Sequence, residues 1–369
     1  MIVNGHRVYR GRRSAGKSSL PFWLTVLVLL LIVFLLAFSL LPQYLVYHSD
    51  SVEMVVPMLQ EDGKAYSVTA ITAPSAYAGS AAASIQVAEP DYSLVSLADG
   101  KGLQYLDAYY VPFSKVTAAG VETAVKEAER SGVKGLVLEM KDESGKLAWM
   151  SGVATASSNA ANSTWDPESY LSELKDDGWT LVAEISCAVD SLLSAADPDV
   201  ALRDTSGVPY ADENGGWVDL WNRDVRTYIE ELCSDLITLG FDEIILSHVE
   251  HPLAQVMYTR DVASSLNREA SVMNFSIAVR TALEDTLDDK GVHLSVRASH
   301  DILTNGTDNG QTLENLLKVY DRLVIETDSY SDDAPIFTEL KIDSTLRFVP
   351  QMTWTFGGGS WILDPTVGS

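Results

Sequence analysis

The chain begins with one long apolar run and continues, after a polar interval, as an alternation of short apolar runs and amphipathic segments. Residues 20–41, from Leu20 to Leu41, contain no charged side chain. As a helix they would span about 33 Å, enough for a hydrocarbon core of roughly 30 Å. The apolar region of a signal peptide is shorter, and no small-residue cleavage site follows promptly. This run therefore predicts a single transmembrane helix.

The distribution of basic residues predicts how this helix is oriented. Residues 1–19 form a basic tail without any acid, and no further basic residue follows until Lys64. The basic residues of the tail are Arg7, Arg10, Arg12, Arg13 and Lys17. The positive-inside rule places such a tail in the cytoplasm. We therefore predict a single-pass membrane protein whose body, after Pro42, lies outside the cell.

Residues 42–100 are predicted to be a stalk or linker. Their segment 67–90 is half Ala and Ser, carries one charged residue, and has no sustained period. A flexible chain of this length would reach roughly 40 Å. Short strand-like pieces at residues 66–71 and 85–87 leave open a small ordered element within the segment.

Residues 101–369 alternate between apolar runs typical of buried strands and segments with helical periodicity. Eight strands are predicted, at residues 103–111, 133–140, 180–186, 244–246, 293–297, 323–327, 346–354 and 360–363. Helices are predicted at residues 118–131, 166–177, 222–239, 261–287 and 313–319. This order is typical of an α/β protein with a (β/α)8 TIM barrel, whose usual size is about 250 residues. A doubly wound open sheet is the alternative, although no Gly-x-Gly-x-x-Gly follows the first strand.

The catalytic and binding residues of such a barrel lie at the carboxyl ends of its strands. The fourth predicted strand lies within residues 240–252 and is followed at once by Ser247, His248 and Glu250. This stretch is therefore the first candidate for a functional site.

The charge of the chain excludes one class of function. The net charge is −25, and because the tail carries +5 the remainder carries −30. So acidic a body would repel nucleic acid, and an acidic surface is otherwise that of a soluble domain.

Cys187 and Cys233 show no metal-type spacing, and both free thiols and a disulfide are compatible with the sequence. No cofactor is predicted.

Three segments resemble a known family. They are residues 132–145 (GVKGLVLEMKDESG), 217–222 (WVDLWN) and 240–252 (GFDEIILSHVEHP). Together with the closing Gly359-Ser-Trp-Ile-Leu363, they are similar to a glycoside-hydrolase-like family of bacterial surface proteins with an α-amylase-like barrel. The resemblance runs from about Gln104 to the end. It implies a barrel that hydrolyses or binds polysaccharide, with cell-wall glycan as one such partner.

The resemblance also implies that key carboxylates are missing. The family pattern carries an Asp at the position of Ser247, an Arg at that of Glu250, and a further Asp at or near Arg297. On the third strand, Ala-Arg-Ile of the family becomes Ala183-Glu-Ile185. Because glycoside hydrolysis normally needs two carboxylates that flank the bond, Ser and Arg cannot replace them. The chain therefore departs from the family at the positions where the chemistry is expected.

Glu184 and Glu250, from neighbouring predicted strands, are our candidates for a relocated catalytic pair, provided that they lie about 5–10 Å apart. Burial of Glu184 in an apolar strand would raise its pKa and suit an acid role. Each has a structural alternative, an ion pair with Arg or Lys in the barrel mouth for Glu184 and a loop salt bridge for Glu250.

Further residues near predicted strand ends are candidates for substrate binding. They are Glu139, Lys141, Asp142, Trp217, His248, Asp301, Glu326 and Trp354. Aromatic faces stack on sugar rings, although such residues also serve in cores. The alternative for Lys141 and Asp142 is an ion pair that closes the turn before Gly145.

Two other chemistries are not predicted. His248-x-x-His251 lies at a strand-to-loop exit with no third ligand at a diagnostic spacing, so the sequence predicts no metal site. Ser247 has no Gly-x-Ser-x-Gly elbow and is not expected to be a nucleophile.

The sequence is compatible with three roles in the cell envelope: a polysaccharide hydrolase, an inactive barrel that binds glycan or protein, and a mainly structural component.

Overall fold

The computed structural model of the chain describes residues 45–48, 51–55, 67–68, 92, 95–159, 161–254, 256, 268–304 and 308–366. The basic tail and the predicted transmembrane helix lie outside these residues. Among the residues that are described, no helix combines the length and the apolarity that a membrane span requires. The chain divides into two compact units, Met1–Ala88 and Glu89–Ser369.

The first unit contains a small antiparallel sheet within the segment predicted to be a stalk. Its strands are β1 (Leu45–His48), β2 (Ser51–Val55) and β3 (Ser67–Val68), in that order across the sheet. Strand β3 falls inside the strand-like piece at residues 66–71, whereas the piece at residues 85–87 lies outside the described residues.

The second unit is built on a closed barrel of eight parallel strands. They are β4 (Asp107–Val111), β5 (Gly135–Lys141), β6 (Thr180–Ser186), β9 (Glu243–Ser247), β10 (His293–Ala298), β11 (Leu323–Glu326), β12 (Phe348–Met352) and β13 (Trp361–Leu363). A hairpin of β7 (Ala211–Asp212) and β8 (Gly215–Gly216) interrupts the chain between β6 and β9. Each barrel strand pairs with the next along the chain, and β13 returns to β4. The prediction of a closed barrel is confirmed, and the open sheet is excluded.

Helices connect most of these strands. They are α1 (Ala118–Arg130), α2 (Ala154–Ser158), α3 (Glu168–Asp176), α4 (Ser191–Ala196), α5 (Arg223–Thr238), α6 (Arg268–Lys290), α7 (Leu313–Val319), α8 (Tyr330–Glu339) and α9 (Ser344–Arg347). The five predicted helices correspond to α1, α3, α5, α6 and α7. The first residues of the predicted helix 261–287, namely 261–267, lie outside the described part of the chain. Three of the unpredicted helices are too short for a helical period, and α8 contains Pro335, which obscures its pattern.

Alternation along the strands separates two cores. On β6, Leu181 and Ala183 belong to the large core between strands and helices, whereas Val182 belongs to a smaller cluster inside the barrel. Successive side chains of a strand point to opposite faces. Glu184, two residues after Val182, therefore faces the barrel interior. Because both faces are buried, the strands appear in the sequence as continuous apolar runs.

A buried guanidinium joins the amino-terminal ends of the barrel strands. Arg322 donates to Glu243 Oε2 at 3.1 Å and to Ser360 Oγ at 2.9 Å. It also donates to the carbonyl oxygens of Leu346 at 2.9 Å and Gln104 at 2.6 Å. Arg322 and Glu243 are each 3% exposed. One side chain thus connects β9 and β11 to the segments that precede β4, β12 and β13.

We expect Arg322→Met to lower the free energy of unfolding by about 3–5 kcal/mol, because the Glu243 carboxylate would stay buried without its counter-ion. Urea denaturation of the full-length protein in detergent measures this change. Arg130→Met is the matched control, since Arg130 forms an exposed ion pair with Glu127 on α1, and its loss should cost less than about 1 kcal/mol. Equally small losses for both variants would contradict the role of Arg322.

Candidate functional site

Polar side chains fill the barrel mouth at the carboxyl ends of the strands. On β10, Leu294 and Val296 lie in the outer core, so Arg297 faces inward, in the same way as Glu184 on β6. On β11, Val324 lies in the inner cluster, and Glu326 therefore faces the same mouth. The alternation that builds the barrel thus brings charged residues from different strands together.

Glu184 and Arg297 form a bidentate ion pair in this mouth. Arg297 Nε donates to Glu184 Oε1 at 2.6 Å, and Nη2 donates to Oε2 at 2.5 Å. Burial acts to lower the pKa of Arg297, but the adjacent Glu184 carboxylate raises it above its ordinary value. The contact is the structural alternative given for Glu184 in the sequence analysis. It occupies both carboxylate oxygens, so a catalytic role would require the ion pair to open.

Glu139 has the environment that the sequence analysis expected for Glu184. It lies on β5 in register with Glu184, and its Oε2 accepts hydrogen bonds from Tyr110 Oη at 3.0 Å and the Phe113 amide at 2.8 Å. Burial raises the pKa of Glu139 to about 7, and the negative charge of Glu184 adds to this, against the two hydrogen bonds. Glu139 can therefore hold a proton near neutral pH, which suits a proton donor.

A cleft of about 460 Å³ opens at the mouth. It is lined by His248, Glu250, Arg297, Ala298, Ser299, His300, Gln311, Glu326, Thr327 and Asp328. Three of the predicted site residues, His248, Glu250 and Glu326, thus lie around one cavity. Glu139, Asp301 and Trp354 are not among its lining residues.

Glu250 is a half-buried carboxylate on the wall of this cleft. Burial raises its pKa, against the opposing effects of His248 and of the Asn309 amide, which donates to Glu250 Oε2. Within the described part of the chain no Lys or Arg lies at ion-pair distance from Glu250. The loop salt bridge that we considered for this residue is therefore replaced by an amide contact.

His248 occupies an unusual backbone conformation beside Glu250. Its φ is 50°, in the left-handed region that few residues other than glycine adopt. Its Nδ1 lies 3.2 Å from Ser186 Oγ, and its Nε2 lies 4.0 Å from Glu143 Oε1. Such backbone strain is found preferentially at functional sites. The predicted strand-to-loop exit is therefore a strained turn that forms one wall of the cleft.

Lys141 and Asp142 both make contacts within the protein. Lys141 is 1% exposed, lies 3.0 Å from Asp190 Oδ2, and donates to the Ser186 carbonyl oxygen at 2.7 Å. Asp142 accepts hydrogen bonds from Ser144 Oγ at 2.6 Å and from the amide of the residue after Gly145 at 3.0 Å. The turn is closed as expected, but Lys141 pairs with Asp190 and not with Asp142.

The two tryptophans named in the sequence analysis have opposite environments. Trp217 is 2% exposed and belongs to the core, which is the alternative given for such residues in the sequence analysis. Trp354 is 45% exposed and packs edge-on against Phe356 at 6.1 Å. It follows β12 on the same side of the barrel as the cleft, where an exposed ring is available to a ligand.

The remaining candidates can be placed as well. Asp301 is exposed on the short 3₁₀-helix His300–Leu303. Cys187 and Cys233 are both buried free thiols, and burial raises the pKa of Cys187 to about 12. Over the described residues, no group of three or more His, Cys, Asp or Glu side chains could hold a metal ion.

Two residues of the mouth escaped the sequence analysis. Tyr110 donates to Glu139 and lies under the Arg297 guanidinium, 5.7 Å from the ring centroid. Gln311 lines the cleft and donates to the Val249 carbonyl oxygen at 3.2 Å. The aromatic character of the first strand hid Tyr110, and no local pattern marks Gln311.

Comparison with known proteins identifies the barrel. Residues 108–324, more than half of the chain, match the sequence profile of a family described as "Putative glycosyl hydrolase domain". No curated protein sequence matches the chain.

Solved structures resemble the chain at low identity. The PgaB (BpsB) glycoside hydrolase domain from Bordetella bronchiseptica has a TM-score of 0.49 at 10% identity, over 68% of this chain and 84% of that one. A hypothetical protein from Ruminiclostridium thermocellum ATCC 27405 has a TM-score of 0.45 at 22% identity, over 51% and 96%. Ega3 from Aspergillus fumigatus, in complex with galactosamine, has a TM-score of 0.41 at 9% identity, over 70% and 82%.

We expect Arg297→Met to lower the free energy of unfolding by about 3–5 kcal/mol, because it leaves Glu184 as an uncompensated buried charge. The double variant Arg297→Met/Glu184→Gln should lose less than Arg297→Met alone. Urea denaturation of wild type, both single variants and the double variant gives a coupling energy, which should lie at about 1–3 kcal/mol. A coupling energy close to zero would show that the two side chains are energetically independent.

Proposed function

Because the chain belongs to the family described as "Putative glycosyl hydrolase domain", we propose that its barrel binds a polysaccharide in the mouth cleft without cleaving it. The fold alone does not fix this function, and the proposal rests on the site. The observation that carries it is the ion pair of Glu184 with Arg297, which removes a carboxylate from the chemistry.

The arrangement of charges around the cleft supports binding over hydrolysis. Retaining and inverting glycosidases place one protonated and one ionised carboxyl group on either side of the bond. Here Arg297 and Ser247 stand at the carboxyl ends of two adjacent strands, β10 and β9, and both side chains face the barrel interior. A guanidinium and a hydroxyl can orient a sugar by hydrogen bonds, but neither stabilises an oxocarbenium ion. The open cleft and the exposed Trp354 ring suit retention of a chain of sugars.

Hydrolysis is the second candidate, and one observation favours it. Glu139 and Glu250 both have raised pKa values because of burial, whereas Glu326 and Asp328 are exposed. A carboxyl group whose pKa burial raises can serve as the proton donor of a glycosidase. In this alternative Glu139 or Glu250 supplies the proton, and an exposed carboxylate stabilises the cationic transition state.

The location that we propose is the cell envelope, with residues 20–41 as a membrane anchor and the barrel outside. The support is the uncharged length of this run and the basic tail that precedes it. Protease added to intact cells should remove the barrel and leave the tail in the membrane fraction. A barrel that resists protease until the cells are lysed would contradict this topology.

The function is tested with the full-length protein, purified in mild detergent and incubated with a panel of insoluble wall and plant polysaccharides. We expect co-sedimentation with at least one polymer and no release of reducing ends. Release of reducing ends that disappears in Glu139→Gln or Glu250→Gln would overturn the binding proposal and establish hydrolysis.

Glu129→Gln is the matched control, because Glu129 is exposed on the outer helix α1 and should leave either result unchanged. Absence of both retention and release over the whole panel would contradict the binding proposal, and would leave the structural role in the envelope.

A further inference from the structure

We propose that the cleft selects a cationic glycan, one whose sugars carry free amino groups, over neutral or N-acetylated chains. This inference rests on the proposed function and names the class of polysaccharide that the same cleft would take. It follows from the charges that line the cleft, from the acids that already lie beside its basic side chains, and from a buried amide oxygen that has no donor among the described residues and lies on the same face of the sheet as Glu326.

Two carboxylates of the cleft have no counter-ion. Glu326 ends β11 and Asp328 follows it, and both are exposed on the lining of the cleft. Within the described residues neither carboxylate has a basic side chain at ion-pair distance or a hydrogen-bond donor. Both therefore present negative charge to whatever occupies the cavity.

The basic side chains that line the cleft already lie beside acids of the protein. Arg297 is held by Glu184, so its charge is neutralised where it meets the cavity. His300 Nε2 lies 3.1 Å from Asp333 Oδ1. His248 Nε2 lies 4.0 Å from Glu143 Oε1. The cleft therefore has surplus negative charge even before the half-buried Glu250 is considered.

Gln351 carries a buried hydrogen-bond acceptor beside Glu326, and this acceptor lacks a donor in the described part of the chain. Gln351 pairs in register with Glu326, so the two side chains point to the same face. Its Nε2 donates to Asp364 Oδ2 at 2.6 Å, which fixes the orientation of the amide. Gln351 Oε1 is then a buried oxygen that has no donor in the described structure. Because this oxygen lies on the same face of the sheet as Glu326, it adds partial negative charge beside that carboxylate and no donor that would compensate it.

The exposed aromatic ring favours a sugar as the carrier of the positive charge. Trp354 follows β12, the strand hydrogen-bonded to β11, so its loop is next to the loop that bears Asp328. An indole face attracts both the C–H face of a pyranose and an ammonium group. A chain of amino sugars offers both groups, and neither a metal ion nor a neutral glycan does so.

The experiment measures binding of short β-1,4-linked oligosaccharides to the full-length protein in detergent by calorimetry. The three probes have equal length and contain only glucosamine, only N-acetylglucosamine, or only glucose. We expect the glucosamine oligomer to bind at least tenfold more tightly than the other two. Its affinity should fall as the salt concentration rises from about 0.05 to about 0.5 M, because exposed charges are screened.

The double variant Glu326→Gln/Asp328→Asn should weaken binding of the glucosamine oligomer by about five- to tenfold, the effect of two exposed ion pairs. It should leave binding of the glucose oligomer unchanged. Glu284→Gln/Asp285→Asn, which removes two exposed acids from α6, is the matched control and should behave as wild type.

The outcomes separate the two proposals. Equal affinities for the three oligomers would overturn the selection of amino sugars and leave polysaccharide binding intact. Binding of none of them would overturn the selection of amino sugars, and it would overturn polysaccharide binding as well only if the whole polymer panel also failed to retain the protein. Oligolysine that binds as tightly as the glucosamine oligomer would show that the cleft recognises a cationic peptide, which also overturns the glycan assignment. Loss of binding on addition of EDTA would show that a metal ion carries the contact instead.

Discussion

Closure of the barrel depends on a buried charge at the end opposite the cleft. Arg322 cannot leave water at an acceptable free energy unless each of its donors finds an acceptor. Glu243 and Ser360 satisfy it together with two carbonyl oxygens, and Glu243 also accepts a hydrogen bond from Ser295 Oγ at 2.5 Å. Ser360 in turn accepts one from the Leu106 amide at 3.1 Å. Strands distant in sequence are thereby held in one register, and the opposite end is free to carry function.

The mouth uses the same kind of interaction for a different result. Arg297 and Glu184 share two hydrogen bonds between planar groups, whereas Arg322 gives one to Glu243 and the others to Ser360 and two carbonyl oxygens. At the base such a pair closes the barrel. At the mouth it takes a carboxylate out of reach of a substrate and leaves a guanidinium next to Tyr110. The cost of separating a buried pair therefore keeps Glu184 engaged with Arg297.

Neighbouring carboxyl groups acquire different properties from this one contact. Glu139 and Glu184 lie side by side on β5 and β6, and both are removed from much of the solvent. Glu184 meets a guanidinium, whereas Glu139 meets a hydroxyl and an amide, which do not compensate for burial, and its pKa rises to about 7. The carboxyl group whose pKa burial raises is therefore Glu139, one strand away from Glu184, for which the sequence predicted this effect.

The sequence by itself determined the barrel, because apolar runs and helical periods repeat locally and require no knowledge of distant contacts. It also marked Glu250, His248 and Glu326 as residues near strand ends, and these do line one cleft. Only the tertiary structure decided their chemistry. The partner of Glu184 is 113 residues away, and that of Lys141 is 49 residues away at Asp190. Whether a carboxylate is free, paired or protonated depends on such contacts across strands, and on burial that the order of residues does not contain.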